Sequence, residues 1–308
     1  MASFQRIAQF PALAREEFGA CEWNNRIWIS GGLNAAGAYL NDVWYSDDGM
    51  VWEQAATGAT SFGAREGHTM LVHDGALWVI GGYNGSVYFN DVWRSGDGVN
   101  WEQVGYAPAS FTARDDGCVY SLKGRLYVVG GDGAVNFDDV WCSYDGRIWR
   151  QVINNYALVR RTHVRPVVFD NRMWLIGGYD GDAATTSNQT LYSDDGWNWE
   201  INGTANGLPR IRDYAATVFD GKIVVSGGTQ GEGERAAAES SALWYSYNGV
   251  NWKLGMQNMQ LVGNATIADH EMVSLKSPNR LFLLMGNPTP GAVSGDIYMA
   301  TQLEEHDD

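Results

Sequence analysis

The stretch that decides the fold reads Gly-His-Thr-Met-Leu-Val-His-Asp-Gly-Ala-Leu-Trp-Val-Ile-Gly-Gly over residues 67–82, then Tyr-Asn-Gly-Ser-Val-Tyr-Phe-Asn over 83–90 and Asp-Val-Trp-Arg-Ser-Gly-Asp-Gly-Val-Asn-Trp over 91–101. An apolar-rich run ends at Asp74-Gly75, a dipeptide suited to a tight hairpin. Ala76 to Ile80 returns as a second strand, and Gly81-Gly82 stops it. Asp91 to Ser95 alternates as a third strand, Asp97-Gly98 turns the chain again, and Trp101 to Val104 begins a fourth.

The same unit recurs along the chain. Double glycines stand at Gly31-Gly32, Gly81-Gly82, Gly130-Gly131, Gly177-Gly178 and Gly227-Gly228, and a degenerate copy at Met285-Gly286. The successive spacings are 50, 49, 47, 50 and 58. A second motif follows each true pair: the segment from Asp42 to Trp52, then segments ending at Trp101, Trp149, Trp199 and Trp252. Four antiparallel strands repeated at about 50 residues are propeller blades, so the chain is expected to be all-β with six blades. The sixth has a third strand at Asp296–Ala300 but no Asp-Gly-x-x-Trp after it. Phe4 to Ile7 precedes Arg15 much as Trp149 to Val152 precedes Arg161, so the N-terminal strand is expected to close blade six. The blades are placed at about 15–55, 65–105, 114–153, 161–202, 211–255 and 268–303 plus 3–10, in one domain spanning 1–308, although roughly 150 residues per domain would suggest two.

The pattern resembles the Kelch family, whose signature is a double glycine after the second strand, an Arg before the first strand and aromatics later in the blade. The Ser-x-Asp-Gly-x-x-Trp element also resembles a shortened Asp-box hairpin. Twelve of the 14 tryptophans occupy three repeated positions, which marks them as packing between strands and blades rather than a carbohydrate platform.

With 21 basic and 36 acidic residues the formal net charge is −15, which disfavours nucleic acid, and no apolar run is long enough for a membrane helix. Cys21, Cys118 and Cys142 are too few and too scattered for a disulfide framework or a cysteine zinc site. The N-terminus lacks the apolar core of a secretion signal, so the expected location is the cytoplasm.

Function is expected where the loops that enter each first strand share a face with the loops after the double glycines, around the mouth of a central channel. The entry segments are Arg15-Glu16-Glu17, Arg65-Glu66-Gly67-His68, Arg114-Asp115-Asp116, Arg160-Arg161-Thr162-His163, Arg210-Ile211-Arg212-Asp213-Tyr214 and Asp269-His270-Glu271. Shared position with differing chemistry suits a binding site on a symmetric scaffold. Arg15, Arg65, Arg114, Arg161 and Arg212 form a candidate ring for an anion, pairing with neighbouring acids being the alternative. Tyr83, Tyr179 and His270 are further candidate ligand contacts, with Tyr39, Asn84, Tyr88, Asp132, Asp180 and Gln230 along the wall. Glu16, Glu66, Asp115 and His163 are the candidate acid–base residues. The Arg-x-x-His of the family makes His68 structural, and no metal or other cofactor is expected, although His68, His163 and His270 could be joined by folding.

The longest loop, residues 229–241, carries Glu-Arg-Ala-Ala-Ala-Glu, which suits one helical turn over the mouth. No Gly-x-Ser-x-Gly elbow and no His-Glu-x-x-His helix is present. Two functions fit. The resemblance to free-standing Kelch propellers implies an enzyme of mutarotase, isomerase or lyase type on a small polar, anionic molecule such as a sugar acid. The commonest Kelch role implies an interaction module that grips an acidic protein segment through the same arginines.

Overall fold

The hairpins set the strand order. In the computed structural model, which describes residues 4–9, 14–55, 61–104, 111–154, 156, 159–204, 207–231, 238–259, 261, 266–284, 286 and 294–303, five first-to-second-strand turns place two successive residues at positive φ. Asp74 (47°) and Gly75 (69°) are one such pair, the geometry whose twist matches a right-twisted ribbon. Each hairpin then extends outward by two more strands. Blade two runs Thr69–His73, Ala76–Ile80, Val92–Ser95 and Glu102–Gln103, all antiparallel. The inner strands of the other blades are Gly19–Trp23, Cys118–Leu122, Val167–Phe169, Ala215–Phe219 and Glu271–Lys276, and each inner strand meets its neighbours around a ring.

The sixth blade is completed from the other end of the chain. Gln5–Gln9 pairs with Asp296–Ala300, with Gln5 opposite Met299 and Gln9 opposite Asp296. The ring therefore closes by strand pairing and exposes no seam edge. The fold is a six-bladed all-β propeller.

The repeated aromatics and the repeated Asp-Gly turns explain one another. Each turn glycine lies flat on the aromatic of the preceding blade: Gly98 on Trp28, Gly146 on Trp78, Gly196 on Tyr127, Gly249 on Trp174 and Gly49 on Phe282. A Cβ at Gly98 would stand 2.2 Å from the Trp28 ring, so a side chain is excluded by space as well as by its φ of +78°. The turn aspartate caps its own loop, as Asp48 does in accepting from the backbone N–H groups of Met50 (2.7 Å) and Val51 (2.9 Å). Trp52, Trp101, Trp149 and Trp252 donate their indole N–H groups to the turn glycine carbonyls, so these buried rings also satisfy their polar ends.

Entry arginines tie blades one, two and three each to itself. Arg15 donates to both oxygens of Asp42 at 2.6 and 3.0 Å and to the Gly31 carbonyl at 2.8 Å. Arg65 does the same with Asp91 and Gly81, and Arg114 with Asp139 and Gly130. The second aspartate oxygen also accepts from Trp44, Trp93 or Trp141, each at 2.7 Å. The entry backbone meanwhile joins blades: the N–H of Gly32 donates to the Arg65 carbonyl and that of Gly82 to the Arg114 carbonyl, both at 2.8 Å. The same contact aligns the later blades, where Gly131 meets Arg161, Gly178 meets Ile211 and Gly228 meets Ile267.

One sequence expectation about a loop lies largely outside the described residues: the helical turn, of which only Ala238–Glu239 is described and is a strand paired with Thr229–Gln230.

Removing the carboxylate of a latch leaves a buried guanidinium without its counter-charge, which costs about 3–5 kcal/mol. Asp91→Ala is expected to lower stability by that order in denaturant unfolding. Blade five carries Ile211 and Ala242, both buried, at the Arg and Asp positions. The pair Arg65→Ile with Asp91→Ala, which copies it, is expected to be more stable than Asp91→Ala alone. Additive losses would contradict this coupling.

Candidate functional site

Three consecutive entry residues in each blade have three different fates. The first points into the blade. Arg15, Arg65 and Arg114 are at most 1% exposed and fully engaged in the latches just described. They are therefore not a ring around the mouth, and the expected anion clamp is corrected: intrablade pairing takes these three guanidinium groups. Arg212 is displaced from the ring as well, because Ile211 is the residue in register with the arginines.

The second residue pairs with the residue after the double glycine. Glu16 stands opposite Leu33, Glu66 opposite Tyr83, Asp115 opposite Asp132, Thr162 opposite Tyr179 and Arg212 opposite Thr229. The mouth is thus polarised by blade. Blades one to three contribute Glu16, Glu66, Asp115 and Asp132. Tyr83 stacks on Tyr88 at 4.5 Å and meets Tyr39 edge-on at 6.3 Å, which sets an aromatic platform beside these acids. Blades four and five contribute the cations. Arg160 holds Asp180 at 3.2 Å and Asp182 at 2.8 Å, and Arg212 lies against Asp213 at 3.3 Å and over the Tyr179 ring at 4.7 Å. Arg161 keeps the latch position, but its partner has become Gln189, 3.3 Å away, with Asp180 at 3.8 Å.

The third residue forms a collar at the channel neck. Glu17, Gly67, Asp116, His163, Asp213 and Asp269 all have φ between 45° and 59°, a left-handed conformation in which Gly, Asp and His are favoured. Their backbones are linked blade to blade. Gly67 donates to Glu17 and Asp116 to Gly67 at 2.9 Å, Asp213 to His163 and Asp269 to Asp213 at 3.0 Å, and Glu17 to Asp269 at 3.4 Å. Below the collar the inner strands enclose a channel of about 490 Å³. Arg165 and Glu271 line it and meet at 2.7 Å from blades four and six. Pro166 has no N–H to give to a strand, so the blade-four inner strand starts only at Val167 and Arg165 is left free to reach inward.

Burial and like charge shape this region. Desolvation, then Asp116 and Glu16, push the Glu66 carboxyl up to about 7. Desolvation, Asp116 and Asp132 push Asp115 up to about 8. Glu17 and Asp269 are raised well above the ordinary carboxylate range, first by burial and then by Asp116 and Asp213 respectively. Burial raises Glu271 to about 7 although Arg165 opposes it. For His163 burial acts downward, but Asp116, Asp213 and Asp269 outweigh it and hold its pKa above the ordinary value.

His270 and His68 are packing residues. His270 is fully buried and its Nε2 lies 2.8 Å from Ser226 Oγ of blade five, so it is not at the mouth as expected. His68 makes the same contact with Ser30 of blade one. Burial holds both near a pKa of about 3, neutral at physiological pH. Among the described residues no group of three or more His, Cys, Asp or Glu side chains is arranged to hold a metal. Sequence reading placed Glu66, Asp115, Tyr83, Tyr179 and His163 in this neighbourhood and missed Arg165. Its signal is the Arg165-Pro166 dipeptide where a first strand should begin.

Comparison with known proteins agrees with this architecture. The family model described as the KLHDC2/KLHL20/DRC7 Kelch-repeats domain matches residues 5–158, half of the chain. Among solved structures, that of YjhT superposes with a TM-score of 0.71 at 15% identity, covering 92% of this chain and 94% of that one. No curated protein matches the chain.

A carboxyl whose folded pKa is raised favours the folded state only while it keeps its proton. That contribution is complete below the unfolded pKa and is lost as pH rises through the folded one. Asp115→Asn is therefore expected to match the parent protein near pH 4 and to become the more stable of the two as pH rises through about 8. Thermal unfolding of both proteins across that range at constant salt is the check, and a difference that does not grow with pH would contradict the assignment.

Proposed function

This chain belongs to the Kelch-repeat family, and on that scaffold we propose that the channel mouth binds a small, polar, hydroxyl-rich molecule and moves a proton on it. The reaction class is isomerisation, mutarotation or lyase-type elimination. The observation that carries the reading is the pair Glu66 and Asp115, at matching positions of adjacent blades, with protons held to about 7 and about 8. Carboxyl groups poised near neutrality donate and accept a proton at similar cost, which general acid–base work requires. The Tyr39–Tyr83–Tyr88 platform beside them offers ring faces to the C–H surface of such a molecule and hydroxyls to its edges. An anionic group on the ligand is best received on the side of Arg160 and Arg212. The carboxylates of blades one to three would repel it. Glu16 adjusts the charge around Glu66. The burial of Arg15, Arg65 and Arg114 inside the blades takes three of the five arginines away from the acidic-partner reading, which therefore ranks second.

The test is a thermal-shift panel of sugars, sugar acids and neutral polyols. A ligand at about 100 times its dissociation constant stabilises by roughly 2.7 kcal/mol. For any binder, anomer exchange and deuterium incorporation from solvent are then followed by NMR. Glu66→Gln and Asp115→Asn are expected to lower the proton-transfer rate by roughly 10²–10⁴-fold while the protein stays folded. Turnover unchanged in both variants, or no binder in the panel, would sink the proposal.

A further inference from the structure

The collar is a backbone ring with one irregular link. Five of its blade junctions are closed by the N–H to carbonyl bonds given above. The sixth, between Asp116 of blade three and His163 of blade four, is closed by side chains instead: His163 Nε2 lies 3.5 Å from Asp116 Oδ2. The same nitrogen lies 3.9 Å from Asp213 Oδ1 of blade five, and Nδ1 lies 2.7 Å from Thr162 Oγ1. The imidazole therefore spans three blades at the neck between the mouth and the channel, and 32% of its side chain is exposed to solvent.

We propose that His163 is a proton-operated clasp on the channel neck, closing the collar junction of blades three and four when protonated and releasing that junction alone when neutral. Protonated, the ring places a positive charge between two carboxylates and donates toward them. Neutral, it presents no charge, and the acids around it are left with Arg165 and Arg212 as their counter-charges. The groups that face it from each packed segment are Asp115 and Asp116 from blade three, Thr162 and Tyr179 from blade four, Arg212 and Asp213 from blade five and Asp269 from blade six. Arg212 alone among them opposes protonation, and it is itself held by Asp213 at 3.3 Å. The other junctions close through backbone bonds, so no proton gain or loss breaks them, and only this one is titratable. This inference does not depend on what the mouth binds.

Amide hydrogen exchange read by mass spectrometry tests the clasp on the whole chain. Segments 114–119 and 162–168 report the titratable junction, and segments 15–20 and 66–70 serve as the internal reference for a backbone-closed one. At about pH 6 the parent protein is expected to protect the first pair of segments several-fold more than His163→Gln does, and at about pH 9 the two proteins are expected to match. Asp116→Asn, which keeps the imidazole and removes its partner, is expected to lose the same protection. Equal protection in the parent protein and both variants at about pH 6 would overturn the proposal. So would a loss spread evenly over both junctions, which would report general loosening.

Discussion

A buried guanidinium that never leaves its own blade is the constraint on which the rest of the architecture depends. Taking Arg65 out of water costs several kcal/mol, and the cost is offset only because both oxygens of Asp91, the Gly81 carbonyl and the face of Phe89 at 4.1 Å receive it together. These contacts fix the path of the chain into the inner strand relative to the start of the third strand. The carbonyl of the same residue accepts from the preceding blade, so one residue sets both the inside of a blade and its distance from the next. Blade five shows the alternative solution. Ile211 and Ala242 replace both partners at once and keep the geometry by packing, whereas replacing one partner alone would strand the other.

Once that residue is pinned, its two successors are placed without freedom to choose. The next residue pairs with the loop after the double glycine and faces the mouth, and the one after it turns left-handed into the collar. The step from scaffold to site is therefore a single residue long. This explains why the first position is nearly uniform among blades one to four, while the second runs through Glu16, Glu66, Asp115 and Thr162. It also explains how a chain with net charge −15 holds arginines at every early entry without a basic mouth: their charge is neutralised inside the blades.

The blades, their number and the closure of the last by the first strand are legible because period, turn dipeptides and double glycines are local and repeated. The direction of the arginine side chains is not local. Asp42 lies 27 residues from Arg15, and nothing between them shows that they meet. A signal is nevertheless present across the internal copies: Arg with Asp in three blades, Arg with Gln189 in the fourth, Ile with Ala in the fifth. Residues that change together between copies are partners, and that comparison would have withdrawn the arginine ring from the sequence alone. The collar had its own mark, since Gly67, Asp116, His163, Asp213 and Asp269 are types enriched at positive φ. What stays illegible is the coming together of Arg165 and Glu271, which lie 106 residues apart in blades four and six and meet only across the channel.

Charge balance separates the scaffold from the site. In the latches each guanidinium meets one carboxylate, and the pair is closed. At the neck Glu17, Asp116, Asp213, Asp269 and Glu271 share Arg165 and His163, and Glu66 and Asp115 add two more acids just above. A network selected only for stability would drop the surplus acids, because a carboxyl whose pKa burial and like charge have raised weakens the fold once it ionises. The latches show that this chain can balance buried charge where folding demands it. The imbalance lies instead at the neck and mouth of the channel, where the blades carry different side chains at equivalent positions, and tolerance of a local cost to stability is a mark of functional sites. The propeller supplies the rigidity that makes the cost bearable: Glu17 and Asp269, held by backbone bonds to both neighbours, cannot relax away from the acids beside them, so their protons, rather than their positions, are what adjust.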